Sequence, residues 1–327
     1  MNKATKRWLV TAASLVLIGC IIFTVVMSLL KWDFTKLSTV KYETNTYEII
    51  KEFNSISITT DTADIIFAVS DDGKCRVKCY EQENAKNSVA AQEGTLAITL
   101  IDERSVYDYI GINFGSPKIT VYLPKAEYAS LLINESTGNI VIPNDFDFED
   151  VDISLSTGDV DFCASAAELI RIKTSSGDIR VENLSTGSLA LSVSTGEVTA
   201  TGVTCEGDLT VGVSTGKTYL TNLTCRNVLS NGNTGDISLK NVIAVEKFSI
   251  KRSTGDVAFD KCDAAEIFVE TDTGGVTGSL LTEKVFITET STGRIDVPST
   301  TTGGRCEICT DTGDITIEVK QDSRQAL

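Results

Sequence analysis

The residues best equipped for chemistry recur at fixed intervals. Between Thr137 and Gly313 a phrase of Ser-Thr-Gly and a polar residue, with small variations, returns ten times; its glycines are Gly138, Gly158, Gly177, Gly196, Gly216, Gly235, Gly255, Gly274, Gly293 and Gly313, always 19 or 20 residues apart. After the glycine stand acids in several copies, Asp159, Asp178 and Glu197 in succession, then Asp236 and Asp256. If the copies stack, these carboxylates lie about one strand spacing apart, an arrangement that repels and that a divalent cation would relieve. Lys217 and Arg294 interrupt the ladder, however, and the nine-residue glycine-aspartate repeat of calcium-binding toxins is absent. Hydrated surface acids are therefore the simpler account, and calcium the alternative. Threonine ladders also serve ice-binding solenoids, but those need a flat strand face, and these threonines sit where the chain must turn.

Cysteine offers a second chemistry. Cys205 and Cys225 each follow their glycine by nine residues in successive copies, where later copies carry Ala244 and Ala264. Stacked neighbours meet the ~4.4–6.8 Å Cα separation of a disulfide. A ladder of reduced, buried thiols is the alternative. The remaining cysteines, Cys75 with Cys79 and Cys306 with Cys309 among them, match no zinc-module spacing. No histidine exists in the chain, which excludes Ser-His-Asp and Cys-His catalysis and histidine-ligated metals. Asp102, Glu103, Arg104 and Asp108, within residues 81–116, are the one irregular cluster where catalysis could reside. The sequence calls for no catalytic residue, cofactor or metal. A net charge of −16 with a pI near 4.5 argues against nucleic acid as a partner, because phosphate recognition needs clustered Lys and Arg.

The period defines the elements that carry these groups. Seven, five and three residues before the glycine stand Val151, Ile153 and Leu155 in one copy and Leu209, Val211 and Val213 in another; two and four after it come Val160 and Phe162, or Ile237 and Leu239. Alternation with period two puts each set on one face of a strand. A further apolar residue seven after the glycine, such as Leu184, Val203 or Leu223, marks a short third side. One such unit cannot bury its own apolar face, so each strand must pair with its counterpart in neighbouring units. The expected fold is all-β: a single-stranded parallel β-solenoid of about ten coils of 19–20 residues, rising ~4.8 Å per coil, right-handed by default. The glycines are its corners, where φ > 0 suits glycine best.

Domain organisation follows along the chain. Lys3, Lys6 and Arg7 precede an uncharged run from Trp8 to Leu30 that ends at Lys31. As a helix its 23 residues span about 34 Å, enough for the ~30 Å hydrocarbon layer. The positive flank belongs in the cytoplasm. Residues 1–31 are accordingly a cytoplasmic stub and transmembrane signal-anchor, residues 8–30 contact the membrane, and the rest is extracytoplasmic in a single-pass cell-membrane protein. A cleaved signal peptide is one rival. Leu17-Ile18-Gly19-Cys20 raises another, since it resembles a bacterial lipobox, although apolar residues continue after Cys20. Residues 32–52 read as a linker. The segment 53–130 is rich in strands and caps or extends the solenoid, with Val106, Tyr107, Tyr109, Ile112 and Phe114 as a loop over its end or a binding loop. Residues 131–320 are the repeats, and 321–327 a charged tail.

The strand-rich opening, the Val121-Tyr122-Leu123-Pro124 strand ending and the serial units Ser156 to Val160 and Ser253 to Val257 resemble the DUF4097 β-strand-repeat family, labelled an adhesin family, over roughly residues 50 to 320. The resemblance implies a bacterial, often membrane-attached solenoid, sometimes linked to cell-envelope stress systems, and carries over no catalytic residues. Three functions are therefore weighed. The first is a non-enzymatic surface protein whose strand face or corner ladder binds a protein, a glycan or a neighbouring copy. The second is an envelope-stress sensor or scaffold for other membrane proteins. The third is a polysaccharide-active enzyme, disfavoured because the even coil length leaves no insertion to build a groove.

Overall fold

The computed structural model describes residues 2–38, 40–105 and 115–320. The loop residues Val106, Tyr107, Asp108, Tyr109, Ile112 and Phe114 and the tail 321–327 lie outside them. The chain opens with helix α1, Lys3–Leu29. It is long and apolar enough to cross a membrane, and none of its most apolar stretch is buried against the protein. Seven strands follow before the repeats: β1 Tyr42–Ile49, β2 Ser55–Thr62, β3 Asp64–Val69, β4 Cys75–Gln82, β5 Ala85–Gln92, β6 Thr95–Asp102 and β7 Lys118–Leu123.

From Glu127 onward every corner glycine separates a first-wall strand from a second-wall strand, and in two coils the second-wall strand runs on through the third side into the next first wall, as in Thr218–Thr234 and Ile237–Thr254. Parallel pairing sets the same position of each coil on top of the last. Down the first wall Ile58, Ile133, Ile153, Ile172, Leu191 and Val211 stack in register, and down the second Ile65, Ile140, Val160, Ile179 and Val198. Their side chains are almost completely buried and belong to one continuous core. Val203, Leu223 and Val242 stack likewise on the third side.

The corners show why glycine recurs. Nine of the ten glycines have φ between +126° and +157°, Gly293 being the exception. More decisive is the approach of backbone to backbone. A Cβ added at Gly158 would lie 1.8 Å from the carbonyl oxygen of Gly138, one at Gly177 2.1 Å from that of Gly158, and one at Gly196 2.0 Å from that of Gly177. Nine of the ten glycine amides in turn donate to the carbonyl of the residue before the glycine of the adjacent coil, as in Gly177 N to Thr195 O at 3.0 Å. No side chain fits in that contact.

At both ends the coils stack out of sequence order. The coil of β2 and β3 abuts the Gly138 coil, with Ala63 in the corner position, and is covered on its other side by β6 and β7. Antiparallel strands close this end: β5 lies on β6, β4 on β7 and β1 on β4. Of the described residues in this part of the chain, β2 and β3 extend the rod and β4 to β7 cover its end. Residues 32–52, expected as a linker, include β1, whose alternation is diluted because it packs as an edge with only partial burial. At the far end the Gly313 coil inserts between the Gly274 and Gly293 coils, so Lys284–Thr292, not the last strand of the chain, forms the tip. Polarity explains the exchange. On the first wall the Gly313 coil points Cys306, Ile308 and Thr310 inward where the Gly293 coil has Phe286, Thr288 and Thr290, and on the second Ile315 and Ile317 are buried. Burying the more apolar coil between two others and leaving the more polar one at the water-facing end minimises exposed apolar area.

The corner geometry separates two substitutions. Gly196→Val forces a β-branched side chain onto the Gly177 carbonyl, and it is expected to cost more than ~3 kcal/mol and to abolish a cooperative melt near the wild-type temperature. Asp236→Asn should stay within about 1 kcal/mol, since Asn139 fills the equivalent place in its own coil. Thermal unfolding followed by circular dichroism checks both, and equal melting would overturn the corner assignment.

Candidate functional site

Three groups of residues stand apart from the apolar core: the corner ladder, a set of polar residues inside the rod, and the outward face of the last four coils.

In the corner ladder the residue after the glycine does structural work. Asp159 Oδ1 accepts from the amide of Asp178 at 2.8 Å, Asp178 Oδ1 from that of Glu197 at 2.7 Å, and Asp236 Oδ1 from that of Asp256 at 3.1 Å. Asp64, Asn139, Asp256 and Asp314 repeat the bond. Each carboxylate thereby caps an amide of the adjacent coil, a charge-assisted bond that one oxygen of Asp or Asn supplies equally well in position. Where Lys217 interrupts the series, its ammonium lies 3.4 Å from Asp236 Oδ2. The periodicity placed these acids correctly, but their role is visible only once successive coils are in register. Among the described residues no three acidic or cysteine side chains converge as a metal-holding group.

Cys205 and Cys225 occupy the third side in consecutive coils, since Thr204 pairs with Thr224, and Cys225 with Ala244 in the next. They stand as separate, buried thiols. Burial pushes both up to about 12, so neither is a thiolate nucleophile at neutral pH. Asp102 and Arg104 of the irregular cluster are committed to one another, with Arg104 Nη2 2.7 Å from Asp102 Oδ2 and 3.7 Å from Asp61.

Inside the rod, polar residues gather where the apolar rows break. Arg252 is buried and sends Nη2 to Thr218 Oγ1 at 3.0 Å and Ser230 Oγ at 3.4 Å, and Nη1 to the Val213 carbonyl at 3.4 Å. Ser230 replaces the apolar member of the first-wall row and Thr218 that of the second. Gly232 clears the space, as a Cβ there would fall 1.7 Å from Arg252 Nη1. Desolvation disfavours the charged guanidinium and lowers its pKa. Nearer the anchor, Glu135 points inward beside Ala63, whose amide donates to Oε1 at 3.0 Å, while Oε2 is buried without a partner. Burial raises the Glu135 carboxyl to about 8, helped by Asp64 and Asp61. Neither residue was singled out by the sequence reading. The signal is a charged side chain three residues before a corner glycine, a position that otherwise points into the core.

The outward face changes character near the tip. Six residues before the corner glycine the coils carry Leu132, Asp152, Arg171, Ala190, Thr210, Leu229, Ser249, Phe268, Ile287 and Glu307, of which Phe268 is the one aromatic. Four before it, small or neutral residues such as Ser192, Gly212 and Asn231 give way to Glu270, Glu289 and Cys309. Register aligns Phe268 with Glu307, and Glu270 with Cys309. These coils form an open trough of about 500 Å³, lined also by Lys251, Asp272 and Asp311. Lys247 Nζ lies 4.3 Å from the Phe268 ring centroid and the Arg305 guanidinium 5.5 Å from it. Lys251 pairs with Glu270 at 2.6 Å. Burial, then Glu307, Glu289 and Glu270, raise the Cys309 pKa and keep it a neutral thiol. The trough therefore combines an aromatic floor, ordered cations and an acidic border.

A parallel solenoid stacked on a glycine spine, closed at one end by antiparallel strands and preceded by a long apolar helix, defines a repeat-built, elongated class of protein. Within that class the chain belongs to the Toastrack DUF4097 family, whose model matches residues 53–216 and again 204–327. No protein of curated function matches. Among solved structures, a "putative lipid binding protein" from Parabacteroides distasonis ATCC 8503 shares 17% identity over 74% of this chain and 98% of its own, with a TM-score of 0.51. A "putative adhesin" from Bacteroides fragilis NCTC 9343 shares 19% identity over 85% of this chain and 97% of its own, at a TM-score of 0.37. These likenesses concern the fold.

The Glu135 geometry fixes a pH dependence. An acid with a folded pKa near 8, against an ordinary 4.5, holds its proton in the folded state where the unfolded chain has lost it. Its contribution to stability is therefore greatest below pH 4.5 and is lost progressively as pH rises to about 8. Glu135→Gln should flatten the fall in urea-unfolding stability between pH 5 and 8 and leave the variant the more stable at pH 8; an unchanged slope would contradict the burial assigned to this carboxyl.

Proposed function

We propose that the protein is a non-enzymatic surface rod of the cell envelope, anchored by α1 and binding an extended glycan through the trough at its far end. The observation that carries this reading is the break in outward regularity at Phe268, Glu270, Glu289 and Glu307, confined to the coils farthest from the anchor. Corner and core residues are explained by folding; the outward ones are not. Aromatic and carboxylate groups together suit sugars, whose C–H faces stack on rings while their hydroxyls donate to acids. The even rise of the coils favours a ligand that runs along several of them.

Several features support membrane anchoring over a cleaved leader. The chain has two tryptophans, Trp8 and Trp32, bracketing the apolar run. Trp8 lies near the start of α1 and Trp32 just past its end at Leu29, with about 31 Å of helix between Trp8 and Leu29, which suits one indole at each interface, where tryptophan is enriched. Trp32 and Phe34 are exposed and Lys31 and Lys36 flank them, as interfacial residues should be. The capped end, β1 with β4, adjoins this anchor, so the trough is carried away from the bilayer.

Glycan-array binding by the detergent-solubilised full chain tests the proposal. Binding to a defined glycan class, weakened at least tenfold by Phe268→Ala and unchanged by Arg171→Ala on the same wall nearer the anchor, is the expected result. Capture of a membrane protein through α1 alone, with no glycan bound, would favour a scaffold instead.

A further inference from the structure

The tip is an unfinished sheet. In nine coils the corner glycine donates its amide to the next coil, from Gly138 N to Thr157 O through Gly274 N to Thr312 O and Gly313 N to Thr292 O. The residue two after the glycine does the same, from Ile140 N to Asp159 O through Ile315 N to Arg294 O. In the Gly293 coil the ladder stops. The amides of Gly293 and Ile295 have no such acceptor, and Lys284–Thr292 pairs along one edge only. Unpaired edges at the capped end belong to β1 and β5, which carry Glu43, Glu48 and Lys86 in the manner that discourages strand addition. The tip edge is differently made. Its one lysine, Lys284, is turned inward and buried against Asp263 at 2.6 Å, leaving Val285, Phe286, Ile287 and Thr288 without a charge among them. Ile287 and Ile295 are exposed.

We propose that the tip pairs through its corner, residues 293–297, with the same corner of a second copy, joining two rods tip to tip about a two-fold axis. Charge selects the occupant. The chain carries −16 overall, so two copies repel along their sides. Between Val285 and Val297, however, the charges are Glu289, Arg294 and Asp296, a net of −1. The corner segment is also self-complementary. An antiparallel copy centred on Ile295 sets Arg294 opposite Asp296 of the second copy, and Asp296 opposite its Arg294. A two-fold contact requires this kind of reciprocity. The new pairing supplies acceptors to the stranded amides and covers Ile295, so that the tip gains both hydrogen bonds and apolar burial. Because the anchor lies at the other end of each rod, the two chains sit in opposed membranes.

This inference rests on the reading of the chain as an outward-facing, membrane-anchored rod. Its test uses the full chain reconstituted in phosphatidylcholine vesicles, with clustering followed by dynamic light scattering. Wild-type protein should cluster vesicles. Arg294→Asp sets like charges opposite one another and should reduce clustering at least tenfold; the corner should survive, because Asp occupies the same place in other coils and the Arg294 amide, not its side chain, binds Asp314. Combining it with Asp296→Arg restores the reciprocal pair and should restore clustering. Wild-type vesicles that stay dispersed, or clustering indifferent to Arg294→Asp, would overturn the proposal. Phe268→Ala separates the two sites: it should weaken glycan binding at least tenfold and leave clustering intact. Glycan binding by a protein that never clusters vesicles would retain the surface-rod reading and remove only the tip contact.

Discussion

The structure depends on one close contact, repeated: the Cα of each corner glycine resting on the carbonyl of the glycine in the coil before it. Because a Cβ there would come within about 2 Å of that oxygen, the coils can approach at strand spacing only where the residue facing the carbonyl lacks a side chain; the carbonyl itself can belong to another residue, as at Ala63 beneath Gly138. This distance sets the register of everything else. With the glycines in line, Ile meets Ile and Val meets Val along two walls, and a carboxylate after the glycine reaches the amide of the next coil. A shift of one residue would send each inward row to solvent. The spine therefore specifies the fold as firmly as the apolar core stabilises it.

Departures from the repeat are informative because the repeat is so regular. Arg252 needs Gly232, Ser230 and Thr218, three changes in neighbouring rows that make sense only as a set accommodating a buried guanidinium. Glu135 faces a corner built on Ala63 instead of glycine, and it spends one oxygen on the Ala63 amide. Lys284 is withdrawn from the tip edge by Asp263. Those inside the core mark fixed points along an otherwise uniform rod. Those on the outside, around Phe268, pair only with neighbouring surface side chains such as Lys247, Lys251 and Arg305, and it is on them that the proposed binding falls.

Both ends solve the problem of the open sheet by moving coils out of order, yet to different effect. Near the anchor, β6 and β7 wrap beneath β2 and β3 and are sealed by antiparallel strands carrying charge. At the tip, the more apolar of the last two coils retreats into the stack and exposes an edge that is polar within and weakly charged along its length. The first end is finished, and the second is suited to continuation by another chain.

The sequence alone determined the solenoid, because a 19- or 20-residue period with alternating apolar positions has few other ways to bury its rows. It also located the corner residues and the apolar helix, whose signals are local in the chain. What it could not reveal was the order of the terminal coils, since units of nearly equal length fit any neighbour equally well by pattern. That order was decided by which coil gains most from burial on both sides. The tasks of Asp159 and Asp178 were likewise hidden, for a carboxylate at a turn looks hydrated until the amide it caps is brought beside it from 19 residues away. The trough was hidden for the same reason. Phe268, Glu270, Glu289 and Glu307 are scattered over some forty residues, and stacking alone makes them one surface.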